Sequence, residues 1–151
     1  LDVKRLISQD KLFYRKKGER EKTVLLAKLQ QRLTTQLKKK TDVVLDSHLL
    51  CEFCLPLDVM VVLRCPPEKL KARLKRRRYS KAKTRDNLLC EALDYCLVQA
   101  EAHYPKVLQL NSEKPFTPRT LFARIVQGKA DAANWQAWLE NNAHEPGLKH
   151  L

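Results

Sequence analysis

The chain has 151 residues, with 30 Lys and Arg against 17 Asp and Glu, a formal charge of +13 and an isoelectric point near 9.7. A hydrophobic share of 44% excludes wholesale disorder, and no apolar run reaches the roughly 20 residues of a membrane-spanning helix. Three glycines in the whole chain argue against a hairpin-rich all-β fold, and the length suits one domain with at most a small appendage.

Taken in chain order, Leu1-Asp2-Val3 reads as the end of a strand whose beginning would lie upstream. Leu26, Leu29, Leu33 and Leu37 share one face of a helix expected to run to about Lys40. Val43-Val44-Leu45, closed by Asp46, is a short apolar run; Val59 to Leu63, closed by Arg64, is a second. Pro66-Pro67 starts a helix over Glu68 to Arg77. A stripe of Leu89, Ala92, Leu93, Cys96 and Ala100 predicts one long helix from about Thr84 to His103, which Pro105 ends. Val107 to Leu110, closed by Asn111, is the third apolar run. A short helix over Leu121 to Val126 follows Pro118 and stops at Gly128. Asp131 is placed to cap a tail helix bearing Trp135, Trp138 and Leu139.

Short apolar runs alternating with helices describe an α/β domain with a parallel sheet flanked by helices. Each run ends in a polar residue, as expected where strand ends open onto a ligand crevice.

The positive charge is concentrated in two blocks. Residues 11–40 hold 11 Lys and Arg against Glu19 and Glu21, and residues 64–85 hold 11 against Glu68 alone. Such blocks attract phosphate, on nucleotides or on RNA; a merely solvated surface is the alternative. Arg73, Arg76 and Arg77 stand one helical turn apart, and the planar guanidinium fork suits a multiply charged phosphate. Asp46-Ser47-His48 follows a buried-type run, where a carboxylate can hold a magnesium shell through water and a His can orient water or meet phosphate. A strand-end Asp that caps the next loop, with a hydrogen-bonded His, is the other reading. No G-x-x-x-x-G-K-[ST] loop occurs in these 151 residues.

The five cysteines, Cys51, Cys54, Cys65, Cys90 and Cys96, are odd in number and do not read as a disulfide framework. They point to the reducing interior of a cell. Cys51-Glu52-Phe53-Cys54 is a lone C-x-x-C without the second pair a zinc site needs, so buried thiols are expected.

Four separated motifs then agree in order: Val43-Val44-Leu45-Asp46-Ser47-His48, Val61-Val62-Leu63-Arg64, Arg73-Leu74 with Arg77-Arg78-Tyr79, and Asp86-Asn87-Leu88-Leu89-Cys90-Glu91. Together they resemble the nuclear-type adenylate kinases, also called coilin-interacting nuclear ATPases, which have archaeal relatives. The resemblance covers roughly the first 125 residues. It implies a P-loop NTPase fold of the nucleoside monophosphate kinase type, over residues 1–127, with a lid at about 76–84 and a separate tail over 128–151. It implies phosphate exchange between ATP and AMP with Mg2+, ATPase activity, and a role in small-ribosomal-subunit maturation through a ribosomal protein and rRNA. The compartment would be cytoplasmic in an archaeon and nuclear in a eukaryote. Asp46 would be the magnesium-holding acid, His48 part of a D-x-H motif tied to hydrolysis, and Arg77 a catalytic lid arginine. Arg64, Arg73, Arg77 and Tyr79 would bind nucleotide. Asn87 and Glu91 match the helix that leads back from the lid.

The sequence departs from the family in three places. Arg78 stands where the lid has glycine. Lys4-Arg5 replaces a Gly-Asp, and Arg15-Lys16-Lys17 replaces an acidic stretch. The family's first strand and P-loop do not occur in these residues, which leads us to expect about 20–30 residues upstream, from the size of a βαβ unit, or a partner that fills the central strand. A catalytically degenerate module that binds RNA or a ribosomal protein is the competing expectation.

Overall fold

A computed structural model describes residues 1–15 and 22–142. Lys16 and Lys17 of the basic stretch, and the tail beyond Asn142, fall outside the described residues.

The frame is a pair of parallel strands, β3 (Met60–Arg64) and β4 (Val107–Asn111), in register from Met60 opposite Val107 to Arg64 opposite Asn111. Both were legible as apolar runs. The connection between them is helical: α3 (Pro67–Arg76), α4 (Lys81–Ala92) and α5 (Tyr95–His103). On one face, Met60 and Val62 join the core formed by α1 (Val3–Gln9), α2 (Leu26–Leu37) and a 3-10 turn at His48–Glu52. Val3, Leu29 and Leu33 are fully buried there. The alternate residues of β4, Leu108 and Leu110, which share one face of the strand, are buried as well.

Earlier in the chain, Phe13–Tyr14 (β1) and Thr23–Val24 (β2) form a small antiparallel pair that the sequence did not announce. The run at 43–45 forms no strand of its own. Asp46 makes a single parallel bridge to Asp2, the Leu1 nitrogen donates to the Val44 carbonyl at 2.5 Å, and Val44 is 80% exposed. Among the described residues, the backbone bridged to 43–46 is that of Leu1-Asp2 alone, and the pairing does not extend into a ladder. The expected strand end at Leu1-Asp2-Val3 is therefore one bridge long. Asp2 then accepts from the Arg5 amide at 2.9 Å and caps α1.

Two helix expectations are corrected. The long helix over 84–103 is two helices, broken at Asp94, whose backbone is left-handed (φ 56). At the break, the Asp94 carboxylate meets the buried Arg64 guanidinium. The tail helix does not start at Asp131 but at Gln136 (α7, Gln136–Asn142). Asp131 instead fastens the chain to the sheet: its amide donates to the Gln109 carbonyl at 2.8 Å, and its carboxylate accepts from the Asn111 amide at 2.8 Å and from Arg124 at 2.5 Å. Helix α6 (Pro118–Gln127) follows expectation, with a Thr117/Thr120 capping box and Gly128 at φ 64 as its stop.

Arg124 beside it, and then the Asn111 amide, hold the Asp131 carboxyl below the usual carboxylate range. A lowered folded-state value means that the ionised form is favoured by folding. Its stabilisation is complete above the unfolded value of about 3.9 and disappears as pH falls through the folded one. We expect Asp131→Asn to lower the thermal midpoint at pH 6 and to narrow its gap to the parent protein steadily below about pH 4. A gap that does not change in a pH series down to acid unfolding would remove this role.

Candidate functional site

The basic segment forms one exposed corner. Helix α3 ends in a Schellman turn: the Tyr79 amide donates to the Leu74 carbonyl at 3.2 Å, and the Arg78 amide to the Lys75 carbonyl at 2.9 Å. This turn needs a left-handed residue after the helix cap, and Arg78 takes it with φ 58. Ser80 then caps α4, accepting from the Lys83 amide at 3.2 Å. The stretch expected as a lid is thus a short helix-to-helix turn at 77–80 with the first turn of α4. The strands and helices leave Arg76, Arg77 and Arg78 exposed side by side. Tyr79 is 39% exposed, with the Lys83 ammonium 5.3 Å from its ring centre.

A left-handed backbone costs an L-residue roughly 1–2 kcal/mol, part of which a glycine returns through its freer unfolded chain. Arg78→Gly is therefore expected to stabilise the protein by about 0.5–1 kcal/mol, while Arg78→Ala brings no such gain. Urea unfolding of the two variants decides this, and equal midpoints would contradict it.

Arg73 reaches back from α3 to the loop after β4. Its Nη2 donates to the Ser112 carbonyl at 2.7 Å, and its Nη1 lies 3.3 Å from the Cys65 sulfur. It also lines an open groove of about 510 Å3 along α3, with Glu68, Lys69, Ala72 and Arg76. Lys69 pairs with Glu113 at 3.1 Å on the rim.

The structure places Arg64 differently from its expected role as a nucleotide ligand. It is 2% exposed, at the end of β3. Its Nε donates to Glu91 Oε1 at 2.9 Å and its Nη1 to Gln109 Oε1 at 3.2 Å. Its Nη2 donates to the Glu91 carbonyl at 3.1 Å and to the Asp94 carboxylate. A buried cation must be paired and hydrogen-bonded this fully to be tolerated. The same Glu91 oxygen also accepts from the Cys65 amide at 3.1 Å and the Trp135 indole at 2.8 Å. Glu91 therefore joins β3, α4 and the segment before α7. Sequence matching marked Glu91 only as a helix position, because its partners lie 26, 27 and 44 residues away.

Asp46 and His48 sit at the other candidate edge, both exposed. Ser47 between them caps the 3-10 turn by accepting from the Leu49 amide at 3.2 Å. The parallel bridge sets the Asp46 backbone beside Asp2. Among the described residues, no hydrogen bond or ion pair joins Asp46 or His48 to Arg73, Arg77 or Tyr79. None holds three or more clustered His, Cys, Asp or Glu fit for a metal. A single exposed carboxylate at a strand end does suit magnesium, which keeps most of its waters and takes one or two carboxylates. None of the described helices is long and apolar enough to cross a membrane.

The chain is 30% identical over 102 residues to a protein named "Putative adenylate kinase" from Methanocaldococcus jannaschii, covering 67% of this chain and 56% of that one. It is 40% identical over 75 residues to a protein of the same name from Methanosarcina barkeri, covering 50% and 40%. It is 47% identical over 58 residues to the "Adenylate kinase isoenzyme 6 homolog" of Caenorhabditis elegans, covering 37% and 32%. The chain thus spans between about a third and a little over half of these relatives' length. A family model described as AAA domain matches residues 2–94, which take in α1, the bridged strand ends at Asp2 and Asp46, β3, and the arginine turn between α3 and α4. The matched residues make up more than half of the chain, and the chain belongs to the AAA domain family, with a P-loop NTPase-like fold.

Proposed function

We propose that the chain carries the monophosphate-kinase half of an adenylate kinase-like phosphotransferase that converts ATP and AMP to two ADP and also hydrolyses ATP. The observation that supports this most is the exposed Arg76-Arg77-Arg78 turn, held by a Schellman motif after a parallel strand, in a chain similar to proteins named as adenylate kinases. In the transfer, an oxygen of the AMP phosphate attacks the γ-phosphorus of ATP, the bond from that phosphorus to the bridging oxygen breaks, and ADP leaves. The protein's part is to position the groups and offset charge. Arg77 moves over the transferring phosphoryl group. Arg73 and Tyr79 hold the phosphates and base, and Arg64 supports the strand end from beneath. Asp46 would hold magnesium, which when bound would offset charge on the phosphate oxygens. His48 orients the water that competes with AMP. A role in small-subunit ribosome maturation, through a ribosomal protein and rRNA, completes this reading.

The test is ADP formation from ATP plus AMP by the protein at its natural length. Arg77→Ala should reduce it by about a hundredfold, with the thermal midpoint unchanged because Arg77 is exposed. Absence of turnover with any nucleoside monophosphate would overturn the proposal. A second reading, an RNA-binding module without turnover, is favoured by the same exposed arginines. It requires affinity that falls steeply with salt and a slope that shrinks by about one per phosphate-contacting residue removed.

A further inference from the structure

A second concentration of positive charge lies on α1, α2 and the small hairpin, apart from the arginine turn. Among the described residues up to Asp42, ten are Lys or Arg, against Asp2, Asp10 and Asp42. Two of these acids are engaged within the fold: Asp2 caps α1, and Asp10 pairs with Arg32 at 2.6 Å. That ion pair sets the end of α1 against the middle of α2, so Lys11, which follows Asp10, and Lys28, one helical turn before Arg32, share this face. Lys28, Arg32 and Thr35 are exposed on α2, and Lys38-Lys39-Lys40 extend the row past its end, with Lys38 about 15 Å along the axis from Lys28. The Leu25 amide donates to the Leu12 carbonyl at 3.0 Å, which brings the β1–β2 hairpin to the start of α2. Arg15 and Lys22 flank the paired residues of that hairpin, and the Lys22 ammonium lies 3.8 Å from the Phe13 ring centre. Tyr14 beside them is 43% exposed.

The chemistry of this face selects its partner. A lipid surface needs a helix face that inserts apolar side chains, and a protein interface needs an apolar centre poor in Lys. Among the described residues up to Asp42, Tyr14 is the one exposed large apolar side chain. A row of cations with an aromatic ring at one end fits the phosphates and bases of a single-stranded nucleic acid. Thr35 Oγ1 donates to the Gln31 carbonyl at 2.9 Å, which leaves its lone pairs to accept. The backbone group that donates to such an oxygen is the 2′-hydroxyl of RNA. We propose that the exposed face of α2, with Lys11 and the β1–β2 hairpin, binds single-stranded RNA at a site separate from the arginine turn. Lys28, Lys38 and Lys39 meet phosphates, and Tyr14 stacks on a base. The site stands whether or not the chain transfers phosphate.

The experiment titrates the full chain, without ATP or AMP, into a labelled oligouridylate of about 20 nucleotides and follows anisotropy between about 50 and 200 mM salt. Lys28→Gln/Lys39→Gln should weaken binding about tenfold at the low-salt end and shrink the slope of log affinity against log salt by about 1.4, from about 0.7 per phosphate contact. Its melting temperature should match that of the parent protein, since both residues are exposed. Tyr14→Ala should weaken binding about tenfold with the slope unchanged, and Tyr14→Phe should restore it. Ultraviolet crosslinking of the unsubstituted complex, followed by trypsin, should place adducts in residues 12–15, a result that does not depend on any variant folding. Adducts at Tyr79 with none in residues 12–15, or an unchanged slope in the lysine variant, would overturn the proposal. So would DNA of the same length, or polyglutamate of the same charge, bound as tightly as the RNA.

Discussion

Glu91→Ala should cost the protein at least about 3 kcal/mol of stability, the lower end of what breaking a buried ion pair costs, and about 6–12 °C in melting temperature for a chain of this size. The reason is the company that Glu91 keeps. One of its carboxylate oxygens serves Arg64 Nε, the Cys65 amide and the Trp135 indole. Its loss leaves a guanidinium that is 2% exposed with a weaker set of partners, Asp94, Gln109 and the residue-91 carbonyl. It also strands two further donors. Arg64→Met should be milder. Its side chain fills much of the same volume, and the Asp94 carboxylate, 39% exposed, can return to water. The Arg64→Met/Glu91→Leu double variant should recover much of what Glu91→Ala loses, since both charges go together. Urea unfolding of the three proteins makes the comparison, and a Glu91→Ala cost under about 1 kcal/mol would show that Arg64 finds water or other partners.

The second large effect concerns activity. Asp46→Asn should lower phosphoryl transfer by about a hundredfold or more and raise the magnesium concentration needed for half-maximal rate. Asn keeps the shape and the local hydrogen bonding but gives up the charge that holds a hydrated cation. Asp46 is exposed and makes no ion pair among the described residues, so its melting temperature should match that of the parent protein. An unchanged magnesium requirement would assign Asp46 to loop capping instead. His48→Ala separates the companion role: hydrolysis of ATP alone should fall further than transfer to AMP.

Single residues show how far the chain can be read without its fold. Val59 to Leu63 and Val107 to Leu110 are short apolar runs, and Met60, Val62, Leu108 and Leu110 are their buried residues in the two parallel strands. Pro66-Pro67, Pro118 and Gly128 mark helix ends through backbone geometry that any context must respect. The arginine turn was equally visible as a charge cluster. Its left-handed Arg78 marks, in terms of one φ angle, a position that glycine would suit. What local pattern did not reveal was pairing at long range. The run at 43–45 has the composition of a strand, yet strand formation depends on neighbours, and one bridge to Asp2 is what the described residues provide. The apolar stripe from Leu89 to Ala100 is continuous in sequence, but the helix is broken at a left-handed Asp94, whose carboxylate pairs with Arg64.

Composition, apolar spacing, proline and glycine positions and the clustered arginines thus determined the class of fold, the places of β3, α3, β4 and α6 and the charged corner, because each acts within a few residues. Only the tertiary structure decided that Arg64 is buried rather than offered to a ligand, that Glu91 is a three-way hub, and that Asp131 fastens β4 rather than starting a helix. Each of these depends on groups 20 to 45 residues apart satisfying one another once water is excluded, a requirement that no local stretch of chain carries.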